Sequence, residues 1–289
     1  MKYRSLLSFV LVFTLLFPAI TLADAAPGDV IITLGEDLTE EQKQAILEEM
    51  KAPEDPQIVY VTNEEEHQYL GQYIPKARIG NKALSSASIT IEEEGTGLDV
   101  TITEQIKLIT EEMYANALIT AGVKDATIYV TAPGNVSGTA ALTGIIKAYE
   151  ISSDQAIPED VKQVANEEMV ETTKLSEKFG AEDAANLMAK IKDEIAKNAP
   201  ENDEELRTII INAANELGIN LSDEDIQRLM DLFNKLIDLN IDWNQVGEQL
   251  NLAKEKLTNF LESEEGQGFL DKLKEFFVSL IDAIKNLFK

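Results

Sequence analysis

Apolar positions recur along this chain with two periods, and the change from one to the other divides it. Between residues 28 and 150 the spacing switches repeatedly between two and roughly three and a half, as strands interleaved with helices require. Val30, Ile31 and Ile32 mark a strand over residues 29–34 that Gly35 closes. Thr39 with Gln42 then forms a capping box for a helix carrying Ile46, Leu47 and Met50. Residues 57–62 read as a second strand, followed by a helix capped by Asn63. Residues 85–103 alternate on both sides of Glu94-Gly95-Thr96-Gly97 and predict a hairpin. A helix over 106–121 with Ile109, Met113, Ala117 and Leu118 inward and a strand over 126–131 follow.

From about residue 155 strand signals stop and helical stripes succeed one another across short polar joints. The first spans 161–179 and ends at Gly180; the second carries Leu187, Met188, Ile191 and Ile195; the third carries Leu206, Ile210 and Ala213. The fourth, capped by Ser222 with Asp225, has the clearest periodicity in Ile226, Leu229, Met230, Phe233 and Leu236. Asp242 and Gln245 cap a fifth, with Trp243 entering the core and Val246, Leu250, Ala253, Leu257 and Phe260 inward. The last stretch, 268–289, sets Phe269, Phe276, Phe277 and Phe288 among leucines and isoleucines on one face, with four lysines off it. Such a helix is suited either to close the bundle or to contact a membrane surface or partner. The fold class is therefore α+β: a mixed α/β domain over 26–152 and an all-α helical domain over 153–289.

The start of the chain has a different character. Lys2 and Arg4 precede an apolar run from Leu6 to Phe17, and small residues follow Pro18 through Ala25, the order of a secretory signal cleaved near Asp24 or Ala26. The apolar run is shorter than the roughly 20 residues of a membrane span. No cysteine follows it, so a lipid anchor is excluded. The expected location is secreted or associated with the cell envelope on its outer side, and the mature chain of roughly 265 residues is long enough for two ordinary domains.

Charge and rare residues narrow the chemistry. With Lys+Arg 25 against Asp+Glu 52 the net charge is −27, which repels nucleic acid. No cysteine and a single histidine, His67, rule out cysteine nucleophiles and two-histidine zinc sites within one chain. His67 reads as a surface residue on a solvated first turn. No cofactor and no metal site are expected: the glutamate run at 92–94 lacks the alternate spacing of calcium ligands, and the partial calcium-loop pattern from Asp238 fails at Trp243 and Gln249. Chemistry run by carboxylates alone, such as glycan hydrolysis, survives, without a nominated pair. The most suggestive local segment is the turn before the helix at 139, where Ser137, Gly138 and Thr139 expose amides and hydroxyls suited to an anion, or where Ser137 simply caps the helix.

Several phrases are shared with a known family: Thr33-Leu34-Gly35-Glu36-Asp37-Leu38-Thr39, Val61-Thr62-Asn63-Glu64-Glu65, Tyr114-Ala115-Asn116-Ala117-Leu118, and Val136-Ser137-Gly138-Thr139-Ala140-Ala141-Leu142. On these the chain resembles the YpuA-like family, exported proteins of Gram-positive bacteria whose domain has no known function. The resemblance implies an extracellular or envelope location and brings no activity or site residue. An exported, non-catalytic protein binding a ligand, an envelope protein, a wall component or a membrane surface is the leading expectation; a carboxylate-driven wall-glycan hydrolase is the alternative.

Overall fold

Strand β1 (Val30–Gly35) leads through helix α1 (Glu40–Glu49) into β2 (Gln57–Val61), which returns parallel to β1 with Ile32 beside Ile58. The structure is a computed structural model and describes residues 26–153, 156–239 and 241–263. Helix α1 begins with the expected capping box, Thr39 Oγ1 accepting from the Gln42 amide while Gln42 Oε1 accepts from the Thr39 amide. The chain continues through α2 (Asn63–Leu70), the short α3 (Lys76–Ile79), β3 (Ser86–Ile91), β4 (Asp99–Ile102), α4 (Glu111–Thr120), β5 (Ala126–Thr131) and α5 (Thr139–Ser153). The sheet runs β2-β1-β3-β5-β4. Strand β3 is antiparallel to both neighbours, and β4 lies parallel to β5 across the α4 crossover.

The hairpin expected over 85–103 does not form, although both of its strands do. Strand β5 pairs between them. The connecting loop is tied to the start of β5: Asp125 Oδ1 accepts from the amides of Gly95 (3.1 Å) and Gly97 (2.8 Å), and Glu92 N donates to the Asp125 carbonyl. These bonds carry the chain over the end of β5, so β4 lands on its far side. Two boundaries move as well. Helix α4 starts at Glu111 with Thr110 as its cap, because Ile106 bridges to Val136 instead of entering the helix. Helix α2 is capped by Thr62, one residue before the expected Asn63.

Alternation places Ile32 and Leu34 on the sheet face covered by α1, where they pack with Leu38 and Ile46. Ile31, Ile89 and Ile128 face the other way, into a core shared with α4 and α5. Helix α5 lies on β1, β2 and β3 and is covered in turn by α2, which buries eleven of its fifteen residues. That close seating depends on Gly144, where an added Cβ would stand 2.8 Å from Thr33 Oγ1 and 2.9 Å from Val61 Cγ2.

The remaining helices are α6 (Glu159–Phe179), α7 (Ala181–Lys197), α8 (Asp203–Glu216), α9 (Asp223–Asp238) and α10 (Trp243–Glu262). Leu187, Met188, Ile191, Leu229, Phe233 and Leu236 form the centre of a second core. The Ser222 capping box on α9 forms as expected. Asp242 Oδ1 caps α10 by accepting from the amides of Asn244 and Gln245, while the Gln245 side chain donates instead to the Gly122 carbonyl. The inward stripe expected along α10 is shorter than its periodicity: Val246 and Leu250 are buried against Ile119, whereas Ala253 and Leu257 are exposed.

Helix α6 joins the two cores, giving Ala165, Met169 and Val170 to the first and Val164 and Leu175 to the second. Where α4, α6 and α7 meet, Lys192 is 1% exposed and its ammonium reaches Glu168 Oε1 (2.8 Å), the Asn116 carbonyl (2.8 Å) and Thr120 Oγ1 (3.3 Å). Thr120 donates to the other oxygen of Glu168. Burial pushes the Lys192 ammonium below its ordinary value, opposed by the Glu168 charge. Every donor of the ammonium thus has an acceptor, the condition under which a buried ion pair is tolerable.

Candidate functional site

A polar cleft of about 200 Å³ opens where α2, α5 and α6 meet. Its lining follows from helical spacing. Glu65 and Tyr69 stand four apart on α2; Thr143, Ile146, Lys147 and Glu150 follow i, i+3, i+4, i+7 on α5; Lys162 and Asn166 stand four apart on α6. Each helix therefore turns one row of residues to the same space. On α5 that row is where charge interrupts an otherwise buried surface.

The charges in the cleft are anchored by the protein itself. Glu65 completes the α2 capping box, Oε2 accepting from the Thr62 amide at 2.8 Å, and its Oε1 accepts from Lys147 Nζ at 2.6 Å. Lys147 also donates to the Tyr60 carbonyl. Burial pushes the Glu65 carboxyl up, but the bonds from Lys147 and Thr62 outweigh it and hold the group below its usual range. Lys162 lies 3.2 Å from both Glu150 and Glu159, and these partners outweigh desolvation to raise its value. Glu150 Oε1 further accepts from the Ile157 amide. Desolvation raises the Tyr69 phenol, which donates to Glu159.

Two oxygens in the lining residues lack this provision. Asn166 is 1% exposed and Thr143 5% exposed; the amide nitrogen of Asn166 donates to the Lys162 carbonyl, yet Asn166 Oδ1 and Thr143 Oγ1 have no hydrogen-bond partner in the protein. Unpaired buried oxygens of this kind cost on the order of 1–3 kcal/mol each unless water or a ligand meets them.

The segment singled out from sequence lies on the same helix, at its start. Gly138 and Thr139 are buried and Ser137 is half-buried. Thr139 Oγ1 donates to Glu66 Oε1 at 2.7 Å, while Ser137 Oγ shares a hydrogen bond with Thr139 Oγ1 at 3.0 Å. A carboxylate of the protein, Glu66, therefore occupies the space against the first turn of α5. Burial pushes the Glu66 carboxyl up, against hydrogen bonds from Asn63 and Thr139. The Ala141 amide is taken by Ser85 Oγ, so helix entry uses a hydroxyl from the β3 approach where Ser137 was expected. Gly138 has φ +100°, and a Cβ there would meet Tyr114 Oη at 2.5 Å.

His67 is half-buried, not a surface residue, because α3 folds back over it: its Nε2 lies 2.9 Å from the Gly80 carbonyl, and Nδ1 is buried without a partner. Phe269, Phe276, Phe277 and Phe288, like the signal expected over 1–25, lie outside the described residues. Among the described residues no helix is long and apolar enough to cross a membrane, and no group of three or more His, Asp or Glu is placed to hold a metal ion. The α2–α5–α6 cleft itself was missed from sequence. Its one legible signal was Lys147 and Glu150 in an apolar helix, each of which pairs with a residue that local reading does not supply.

The family model described as "Protein of unknown function (DUF1002)" matches residues 34–253, which takes in the cleft and most of the sheet and helical layers. The uncharacterized protein YpuA of Bacillus subtilis (strain 168) is 56% identical over 279 residues, covering 96% of each chain. No solved structure matches. On both the family model and the relative, this chain belongs to the DUF1002 family of YpuA-like proteins, whose function is unknown.

Proposed function

We propose that this chain is an exported, non-catalytic binding protein of the cell envelope, and that the α2–α5–α6 cleft is where it holds its ligand. The observation that carries this reading is the pair of buried, unpartnered oxygens, Asn166 Oδ1 and Thr143 Oγ1, in residues lining a polar cleft. In the structure both atoms are closed to solvent, so a ligand regains their bonds by drawing the Asn166 and Thr143 side chains towards the cleft. Fixed charge, not proton transfer, is what the lining offers: Glu65 is held low and Tyr69 is raised. A glycan hydrolase needs a carboxylic acid of raised pKa beside a second carboxylate. The raised carboxyl, Glu66, is 2% exposed, is bonded to Thr139 and does not line this cleft.

The basic, apolar and small-residue order of the first 25 residues supports export. The aromatic face over 268–289 supports contact with a membrane surface or envelope partner. The test of binding is a thermal-shift screen of small polar compounds against the wild type and Asn166→Leu. A rise in Tm that the variant loses is expected; hydrolysis of wall glycan abolished by Glu65→Gln would replace this reading with the enzymatic one. Fractionation of cells into membrane, wall and medium, full length beside a chain ending at Ser263, tests location: a chain retained in the cytoplasm would end the export reading.

A further inference from the structure

Resting on that cleft reading, we infer that the ligand is a neutral, polyhydroxylated molecule the size of one sugar ring. Size sets the first limit. About 200 Å³ lies below the roughly 300 Å³ at which drug-sized pockets begin, so the cleft itself holds a single ring or a short polyol. Charge sets the second. The two ammonium groups, Lys147 and Lys162, are already matched by Glu65, Glu150 and Glu159, so an anion must compete with carboxylates 2.6–3.2 Å away and a cation must compete with the lysines.

Hydroxyl groups can add to these pairs without breaking them. Lys147 has three donors and uses two, on Tyr60 and Glu65, which leaves one for a ligand oxygen. Glu65 and Glu150 retain lone pairs that a ligand O–H can reach. Drawn towards the cleft, Asn166 Oδ1 requires a donor and Thr143 Oγ1 can accept or donate, and a hydroxyl supplies either. An amine satisfies Asn166, but the carboxylates it would pair with are already bonded to Lys147 and Lys162. Tyr69 provides the modest apolar surface that the C–H side of a ring uses.

The test is a titration of the full mature chain, followed by backbone amide NMR, with glucose and myo-inositol, and separately with alanine as a zwitterion and with inorganic phosphate. Glucose or inositol is expected to move the amides of Thr143, Lys147 and Asn166 with a millimolar Kd. Thr143→Val and Asn166→Leu, which remove the unpaired oxygens, are each expected to weaken that binding roughly tenfold. Should either variant fail to fold, Tyr69→Ala on the rim is the substitute, expected to weaken the same titration. Response to alanine or phosphate with none to the polyols overturns the ligand class and leaves the cleft a binding site. Silence towards all four overturns the binding reading itself.

Discussion

Where α5 meets the sheet, the first hydrophobic core is built from smaller pieces than the centre of the second. Beneath the sheet, α5 approaches β1 and β2 through Ala140, Ala141 and Gly144, and a Cβ on Gly144 would come within 3 Å of Thr33 and Val61. In the helical half, Leu187, Met188, Ile191, Phe233 and Leu236 interlock as large side chains on one face of each helix. Small pieces give a close backbone approach with nothing to spare, so the α5–sheet contact is sensitive to added atoms. Large pieces give volume, so the helical core is sensitive to lost atoms. Helix α6 must serve both, and it does so with buried polar residues, among them Glu168 in the pair with Lys192.

The strongest way to break that contrast is at the seam. Lys192→Met strands the Glu168 carboxylate in the interior and is expected to cost about 3–5 kcal/mol in urea unfolding, while Lys192→Met with Glu168→Leu regains most of it. A double variant as unstable as the single would show that the pair holds the halves together by more than charge compensation. Within the helical core, Leu236→Ala is expected to cost about 2–5 kcal/mol through the cavity it leaves. At the α5–sheet contact the opposite change does the damage: Gly144→Ala is expected to cost about 1–3 kcal/mol by overpacking. Gly134→Ala, where a Cβ meets nothing within 4 Å, is its control and is expected to stay within about 0.5 kcal/mol.

A smaller effect separates the halves by pH. Burial pushes the Asp225 carboxyl up, but hydrogen bonds from Lys178 and from the side chain and amide of Ser222 override it and hold the group at about 2, against 3.8 unperturbed. A carboxyl depressed in the fold stabilises it fully above the unperturbed value, and that stability is lost as pH falls towards 2. Acid titration between about pH 4 and 2 is therefore expected to remove on the order of 2 kcal/mol from the wild type. The Asp225→Asn variant is expected to be less stable at neutral pH and flatter over the same range; equal slopes in the two proteins would refute the assignment.

Much of the fold was legible because its signals are short. The capping boxes at Thr39 and Ser222 join residues three apart, and the α9 stripe repeats within two turns. All five strands were visible as apolar runs or alternations. The same alternation misplaced β4, because nothing within residues 85–103 reveals that Asp125 will tie down the loop. His67 was misread for the same reason: the Gly80 carbonyl that meets it lies 13 residues away. Of the candidate site, the segment at Ser137–Thr139 was visible as a turn opening a helix, but the Glu66 carboxylate that faces it was not.

By itself the sequence determined the periods, the capping boxes at Thr39 and Ser222, the acidic charge and the absence of cysteine, since each depends on residues within about a turn of one another or on composition alone. Tertiary structure decided the strand order, the seam at Lys192 and the cleft. Lys147 meets Glu65 across 82 positions and Lys192 meets Asn116 across 76. Such pairs are selected by which faces the packed backbone brings together, and no local pattern of hydrophobic and polar residues encodes a partner at that distance.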